Sequence, residues 1–134
     1  MRLDTDNTGW EMIGEQIVNN SSVSPQIEIF GNQVYVAYRN TNTSLTVKTL
    51  NLGDVTPTWA DLGVISLSNG GSPYSSFKMA LSANGTPSIA WADYNNYTLN
   101  IVKYGSDAND GVGAWDLPTE VFNFGGLEWS GKTN

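Results

Sequence analysis

The chain has 134 residues, 40% hydrophobic and 11% aromatic, with only 14% charged and a formal net charge of −7. That size and apolar content fit one packed domain rather than a disordered chain, which goes with high charge and few aromatics. Cys and His are both absent, and Lys and Arg number six. The composition therefore excludes disulfides, thiolate metal sites and a histidine general base, and it speaks against nucleic acid, whose backbone an acidic chain repels.

The first residues, Met1-Arg2-Leu3-Asp4-Thr5-Asp6, carry no apolar signal region, and nowhere does an apolar run reach the ~18 residues of a membrane span. The chain is thus read as cytosolic, as processed, or as part of a longer protein. Its Asn, Ser and Thr content favours a secreted or surface setting, and the compartment stays open. Asp4-Thr5-Asp6-Asn7-Thr8-Gly9, followed by Glu15, has the oxygen spacing of a calcium loop. No helix can precede it, so an acidic turn is the expectation and no cofactor is assigned. Trp10-Glu11-Met12-Ile13-Gly14 then reads as a strand.

From Ser24-Pro25 onward the pattern has period two. Gln26-Ile27-Glu28-Ile29-Phe30, Gln33-Val34-Tyr35-Val36-Ala37-Tyr38 and Ser44-Leu45-Thr46-Val47-Lys48-Thr49-Leu50 alternate, and Trp59-Ala60-Asp61-Leu62-Gly63 closes the set. After Ser72-Pro73 the order repeats. Phe77-Lys78-Met79-Ala80-Leu81, Ser88-Ile89-Ala90-Trp91-Ala92-Asp93 and Leu99-Asn100-Ile101-Val102-Lys103-Tyr104 are followed by Trp115-Asp116-Leu117. Gly31-Asn32 and Asn84-Gly85 separate the first two runs of each set and supply the positive φ of tight turns. Asp107-Ala108-Asn109-Asp110-Gly111 is a second acidic loop, off the calcium spacing. Glu120-Val121-Phe122-Asn123-Phe124 begins a further strand.

Each set is a four-strand unit. Trp10 and Trp59 are 49 residues apart, Trp59 and Trp115 are 56, and Val36 aligns with Ile89. Units of this length stack on their own copies, because none buries its faces alone. The phrasing resembles the degenerate β-propeller repeats of bacterial proteins, in which a Trp-x-x-Leu-Gly strand ends one blade and an Asn-Gly-x-Pro-x-x-Ala-Trp-x-Asp strand follows in the next. Here the second element is Asn84-Gly85-Thr86-Pro87-Ser88-Ile89-Ala90-Trp91-Ala92-Asp93.

The expected fold is one all-β domain over residues 1–134. It holds two β-propeller-like four-stranded blades at 25–63 and 73–117, with partial strands at 10–14 and 120–124. The alternative is a single β-sandwich. Two blades do not close a ring. Each bare flank withholds on the order of 10 kcal/mol of burial at about 25 cal/mol per Å². Closure by oligomerisation is expected, with a trimer favoured; two-blade oligomeric propeller lectins are distantly similar in size and blade count.

The recurring Trp10, Trp59 and Trp115 are read as packing between units. Ligand-binding candidates sit at the ends of the second strands: Arg39 and Asn40 in one unit, Trp91, Asp93 and Tyr94 in the other, with Tyr97 close by. Aromatic faces beside amide or charged groups suit glycan recognition. Protein recognition through the same loops is the companion expectation, and a structural segment of a larger surface protein is the first alternative. Catalysis is not expected. A glycosidase-like enzyme would rest on carboxylates alone, and Arg2 and Arg39, the only arginines, cannot build the three-arginine clamp of sialidase-like propellers.

Overall fold

The computed structural model describes residues 2–3, 9–17, 24–41, 44–67, 76–93, 96–105 and 114–123, and within these the chain is all β with no helix. A short ribbon pairs β1 (Arg2–Leu3) with β2 (Trp10–Glu11). The first four-stranded sheet contains β3 (Gln26–Phe30), β4 (Gln33–Thr41), β5 (Ser44–Asn51) and β6 (Ala60–Ser66). The second contains β7 (Phe77–Leu81), β8 (Pro87–Asp93), β9 (Thr98–Lys103) and β10 (Thr119–Asn123). Both are antiparallel and follow chain order, each strand pairing with the next. Among the described residues no strand crosses between the sheets, unlike the Greek-key wiring of an immunoglobulin-type sandwich.

The strands form where the alternation predicts them, because Val, Ile, Leu, Tyr and Thr suit a pleated surface. The turns do too. Gly31 takes φ +58 between β3 and β4, and Gly85 takes φ +82 between β7 and β8. The second turn is the longer. Ser82 and Thr86 bracket it through Ser82 N–H donating to Thr86 O at 3.0 Å, and Gly85 N–H donates to Ser82 O at 2.9 Å. Asn84 Oδ1 holds the turn from inside, accepting from Thr86 Oγ1 at 2.9 Å and from Ser82 Oγ.

The sheets stack on one core. Ala37, Leu45, Val47 and Ile65 of the first meet Phe77, Met79, Ile89, Trp91 and Val102 of the second. Leu45, Val47 and Ile89 are fully buried. Tyr35, Leu62 and Trp115 pack around the edge. Cross-strand register shows how the faces meet. Ala37 pairs with Val47 as Ala90 pairs with Ile101, and Tyr38 pairs with Thr46 as Trp91 pairs with Asn100. The two sheets therefore superimpose residue for residue, but they bury opposite faces. Ala37 and Val47 face the core, whereas their counterparts Ala90 and Ile101 face away, with Ile101 40% exposed. The front of the first sheet rests on the back of the second.

The motif tryptophans join the units. A Cβ placed on Gly63 would lie 3.5 Å from Trp115, and one on Gly14 would lie 2.9 Å from Trp59 and 2.8 Å from Leu50 Cδ1. Each motif glycine, at φ +73 for Gly14 and +109 for Gly63, thus lies under the tryptophan of the following unit. Segment 12–17 therefore lies on the back of the first sheet much as β6 lies on the back of the second.

Two strand boundaries differ from the expectation. Trp115-Asp116-Leu117 is not a strand. Trp115 makes a lone bridge to Tyr104, and pairing resumes only after Pro118, which has no N–H for the ladder. Thr119–Asn123 then pairs with β9, so the segment expected to open a further unit is the outer strand of the second sheet. At the start of the chain only Trp10 and Glu11 of segment 10–14 are strand, and they pair with Arg2–Leu3.

Both outward faces stay apolar. Ile27, Ile29 and Val64 on the back of the first sheet are about 60% exposed, and Leu99, Ile101 and Phe122 on the front of the second are exposed too. Phe30 covers Gly85, and a Cβ there would lie 2.5 Å from the ring. Gly31 has open space around its Cβ position. Gly85→Ala should therefore cost about 2–4 kcal/mol, from clash plus positive φ, and Gly31→Ala about 1 kcal/mol, from φ alone. Urea unfolding of the two variants checks the order.

Candidate functional site

The residues expected to bind ligand do not share one open surface. β4 and β8 end at the same edge of the stack, and Arg39, Trp91 and Asp93 point from the two sheets into the layer between them. They are 7%, 2% and 1% exposed. Asn40, next along β4, is exposed. Alternation explains the split: Arg39 shares the core-facing side of β4 with Ala37, and Asp93 shares the core-facing side of β8 with Trp91 and Ile89. Tyr94 lies outside the described residues, as do both acidic loops, 4–8 and 107–111. No three Asp or Glu converge among the described residues.

Asp93 organises the turn that follows it. Its Oδ1 accepts from Asn96 N–H at 3.2 Å and its Oδ2 from Asn96 Nδ2 at 2.8 Å. Beside it, Asn100 Nδ2 donates to Thr98 Oγ1 at 2.9 Å. Asp93 and Asn100 are thus hydrogen-bonded within the layer, whereas the buried Trp91 Nε1 finds no hydrogen-bond partner among the described residues. Tyr97 stands out on the same turn, 53% exposed and at φ +53, a conformation few non-glycine residues adopt.

The opposite end of β4 and β8 holds the open site. A cleft of about 390 Å³ lies between the sheets. Gln33, Tyr35 and Thr49 form its wall on the first sheet, and Asn84, Thr86 and Tyr104 form the other. No side chain in its lining carries a formal charge at neutral pH. The groups are fixed from behind. Gln33 Nε2 donates to Thr49 Oγ1, whose hydroxyl donates to Val34 O at 3.0 Å. Tyr104 N–H donates to Pro87 O at 3.0 Å, and the Tyr104 ring meets Trp115 edge-on at 5.2 Å. Asn84 Oδ1 accepts within the turn from Ser82 Oγ, Thr86 N–H and Thr86 Oγ1. The cleft thus offers amides, hydroxyls and two phenol rings, which can stack on and hydrogen-bond a neutral polyol.

The strand-end candidates lie at the far end of the stack from this cleft. One signal for the cleft stands in the sequence: Asn84-Gly85-Thr86-Pro87, the opening of the repeat motif, forms its rim. The Tyr35 and Tyr104 contributions had no local signal, since they meet only when the sheets stack. Comparison with known proteins finds no matching family model, curated protein or solved structure.

Burial in the cleft wall raises the Tyr35 pKa above its ordinary 10.0, and the neighbouring Tyr104 phenol adds repulsion between the ionised forms. The unfolded chain releases that proton at the ordinary value, while the folded chain retains it to higher pH. Tyr35 therefore leaves stability untouched below pH 10.0 and erodes it as pH rises from there through the raised folded value. Tyr35→Phe should flatten part of that alkaline loss. Urea melts of both proteins from about pH 9 to about pH 11 measure the difference.

Proposed function

We propose that this chain is a non-enzymatic binding module that recognises a neutral, hydroxyl-rich ligand of the carbohydrate class in the inter-sheet cleft. The lining of that cleft carries the reading. Its volume falls within the ~300–1,000 Å³ of small-molecule sites, and its donors and acceptors are amides, hydroxyls and phenols. A carboxylate pair, which glycoside hydrolysis needs, is missing from the lining.

We further propose that the two sheets are successive blades of a propeller-like array that closes by homo-oligomerisation, a trimer being favoured. Front-to-back stacking of superimposable sheets supports this, because it leaves two unlike apolar faces that fit each other's counterparts. The bare faces equally suit a structural or protein-interaction segment of a larger surface protein, which is the second reading.

A glycan array followed by calorimetry on the best hit separates the two readings. Tyr104→Phe and Tyr35→Phe should each weaken binding up to about tenfold, since each removes one neutral hydrogen bond worth ~0.5–1.5 kcal/mol. Tyr97→Ala and Asn40→Ala, at the far end, should leave it unchanged. Binding lost only in the far-end variants moves the site to the strand ends. A blank array favours the scaffold reading.

A further inference from the structure

We propose that segment 10–14 is an exchanging strand: in a head-to-tail assembly it joins β9 of a neighbouring copy and takes the place of that copy's β10. This rests on the assembly reading above and names the element through which copies connect.

The chain contains one example of the contact that assembly would repeat. The first sheet sets its front, with Ala37, Leu45 and Val47, on the back of the second. The counterpart front on the second sheet is Ala90, Leu99 and Ile101, and it is uncovered: Leu99 is 38% and Ile101 40% exposed. Its complement is a back face equivalent to that of Met79 and Ile89. The first sheet carries such a face: Val36, the counterpart of Ile89, is buried, while Ile27, the counterpart of Met79, is 60% exposed at its edge. The fitting occupant of one face is therefore the other face of a second copy.

An obstacle to simple docking then appears. Gly14, at the end of segment 10–14, already lies on the back of the first sheet at the position of a preceding sheet's outer strand, under Trp59 as Gly63 lies under Trp115. A neighbour's second sheet would bring its own outer strand, β10, to that position, and there is room for one of them. Register identifies the residue of β10 that would have to replace Gly14. Val47 pairs with Gly63, and Ile101, the counterpart of Val47, pairs with Thr119.

Thr119 does not fit. A Cβ at the Gly14 position would lie 2.8 Å from Leu50 Cδ1 and 2.9 Å from Trp59 Nε1, and the backbone there has φ +73. Threonine brings that Cβ and avoids that φ. Pro118 ahead of it cannot donate to β9. The segment Trp10-Glu11-Met12-Ile13-Gly14 has the glycine and lacks the proline, so it is the better outer strand for a sheet that must seat against Trp59.

Both strands lie open to solvent, although β10 is paired with β9. Every residue of β10 is exposed, and Leu117 before it is 87% exposed. Trp10 and Met12 are 70% and 71% exposed. A cavity of about 170 Å³ remains in the seam between Glu15, Gln16 and Ile17 and the sheet residues Lys48, Thr58 and Trp59.

The absence of cysteine makes the test direct. Lys48 pairs with Asp61 across β5 and β6, and their counterparts on β9 and segment 10–14 are Val102 and Met12. Within one molecule Met12 lies behind the first sheet and Val102 lies in front of it, so they cannot join. Under mild oxidation the double variant Met12→Cys with Val102→Cys should give a reducible ladder of linked chains, while neither single variant does so beyond a dimer. Glu11→Cys with Lys103→Cys, the next rung, serves if the Val102 variant does not fold. Light scattering on the unmodified protein is run alongside. A multiple mass without a ladder overturns the exchange and leaves the assembly standing. A monomer mass with no ladder overturns both.

Discussion

Side chains on a strand alternate between two faces, and in this chain both faces of both sheets are apolar. That constraint shapes everything else. One sheet cannot bury two faces against itself, and two sheets cover in full only the pair that meets; on the outer face of the first, Val36, Tyr38 and Leu50 are buried while Ile27, Ile29 and Val64 stay exposed. Here the front of the first meets the back of the second, so Ala37, Leu45 and Val47 are sealed while the equivalent Ala90, Leu99 and Ile101 are not. Had like faces met, the molecule would have closed on itself about a pseudo-two-fold axis, with two equivalent faces left outside. Front-to-back contact is open-ended by geometry, because each added sheet presents the face that the next one needs.

The seam between the sheets also makes the site. At one end, Arg39 and Asp93 enter the layer and are consumed by it; Asp93 holds the Asn96 turn rather than solvent-borne ligand. At the other end the sheets part, and the gap is lined by side chains that include two held from behind: Gln33 by Thr49 and the Tyr104 ring by Trp115. Anchoring lowers the entropy lost when a ligand binds, since those side chains have little freedom left to lose. One contact serves both fold and site. Phe30 on Gly85 pins the 82–86 turn to the first sheet, and that turn carries Asn84 and Thr86 to the rim.

Much of this could be read from residues one at a time. The strands follow period-two runs, and the turns follow Gly31-Asn32 and Asn84-Gly85. Val36 and Ile89, aligned by spacing, hold equivalent places in the two sheets, Val36 between Ile27 and Lys48 and Ile89 between Met79 and Val102. Reading failed where a single residue changed the outcome. Pro118 breaks the strand begun at Trp115 and hands the outer position to Thr119–Asn123, so a segment that looked like the start of another unit belongs to the second. Among the site candidates, Arg39 and Asp93 sit at strand ends, where each sheet covers the other's residue, and a strand end in isolation does not reveal its cover.

By itself the sequence determined the all-β class, the two sets of short strands with the turns between them, and the lack of histidine or thiol chemistry. Each of these depends on neighbours within a few residues, or on composition. Only the tertiary structure decided which apolar face is inner, that the tryptophan of each unit covers the glycine of the one before, and which end of the seam stays open. Those outcomes depend on stacking residues some 50 positions apart, and alternation with two apolar faces is the same whichever face turns inward.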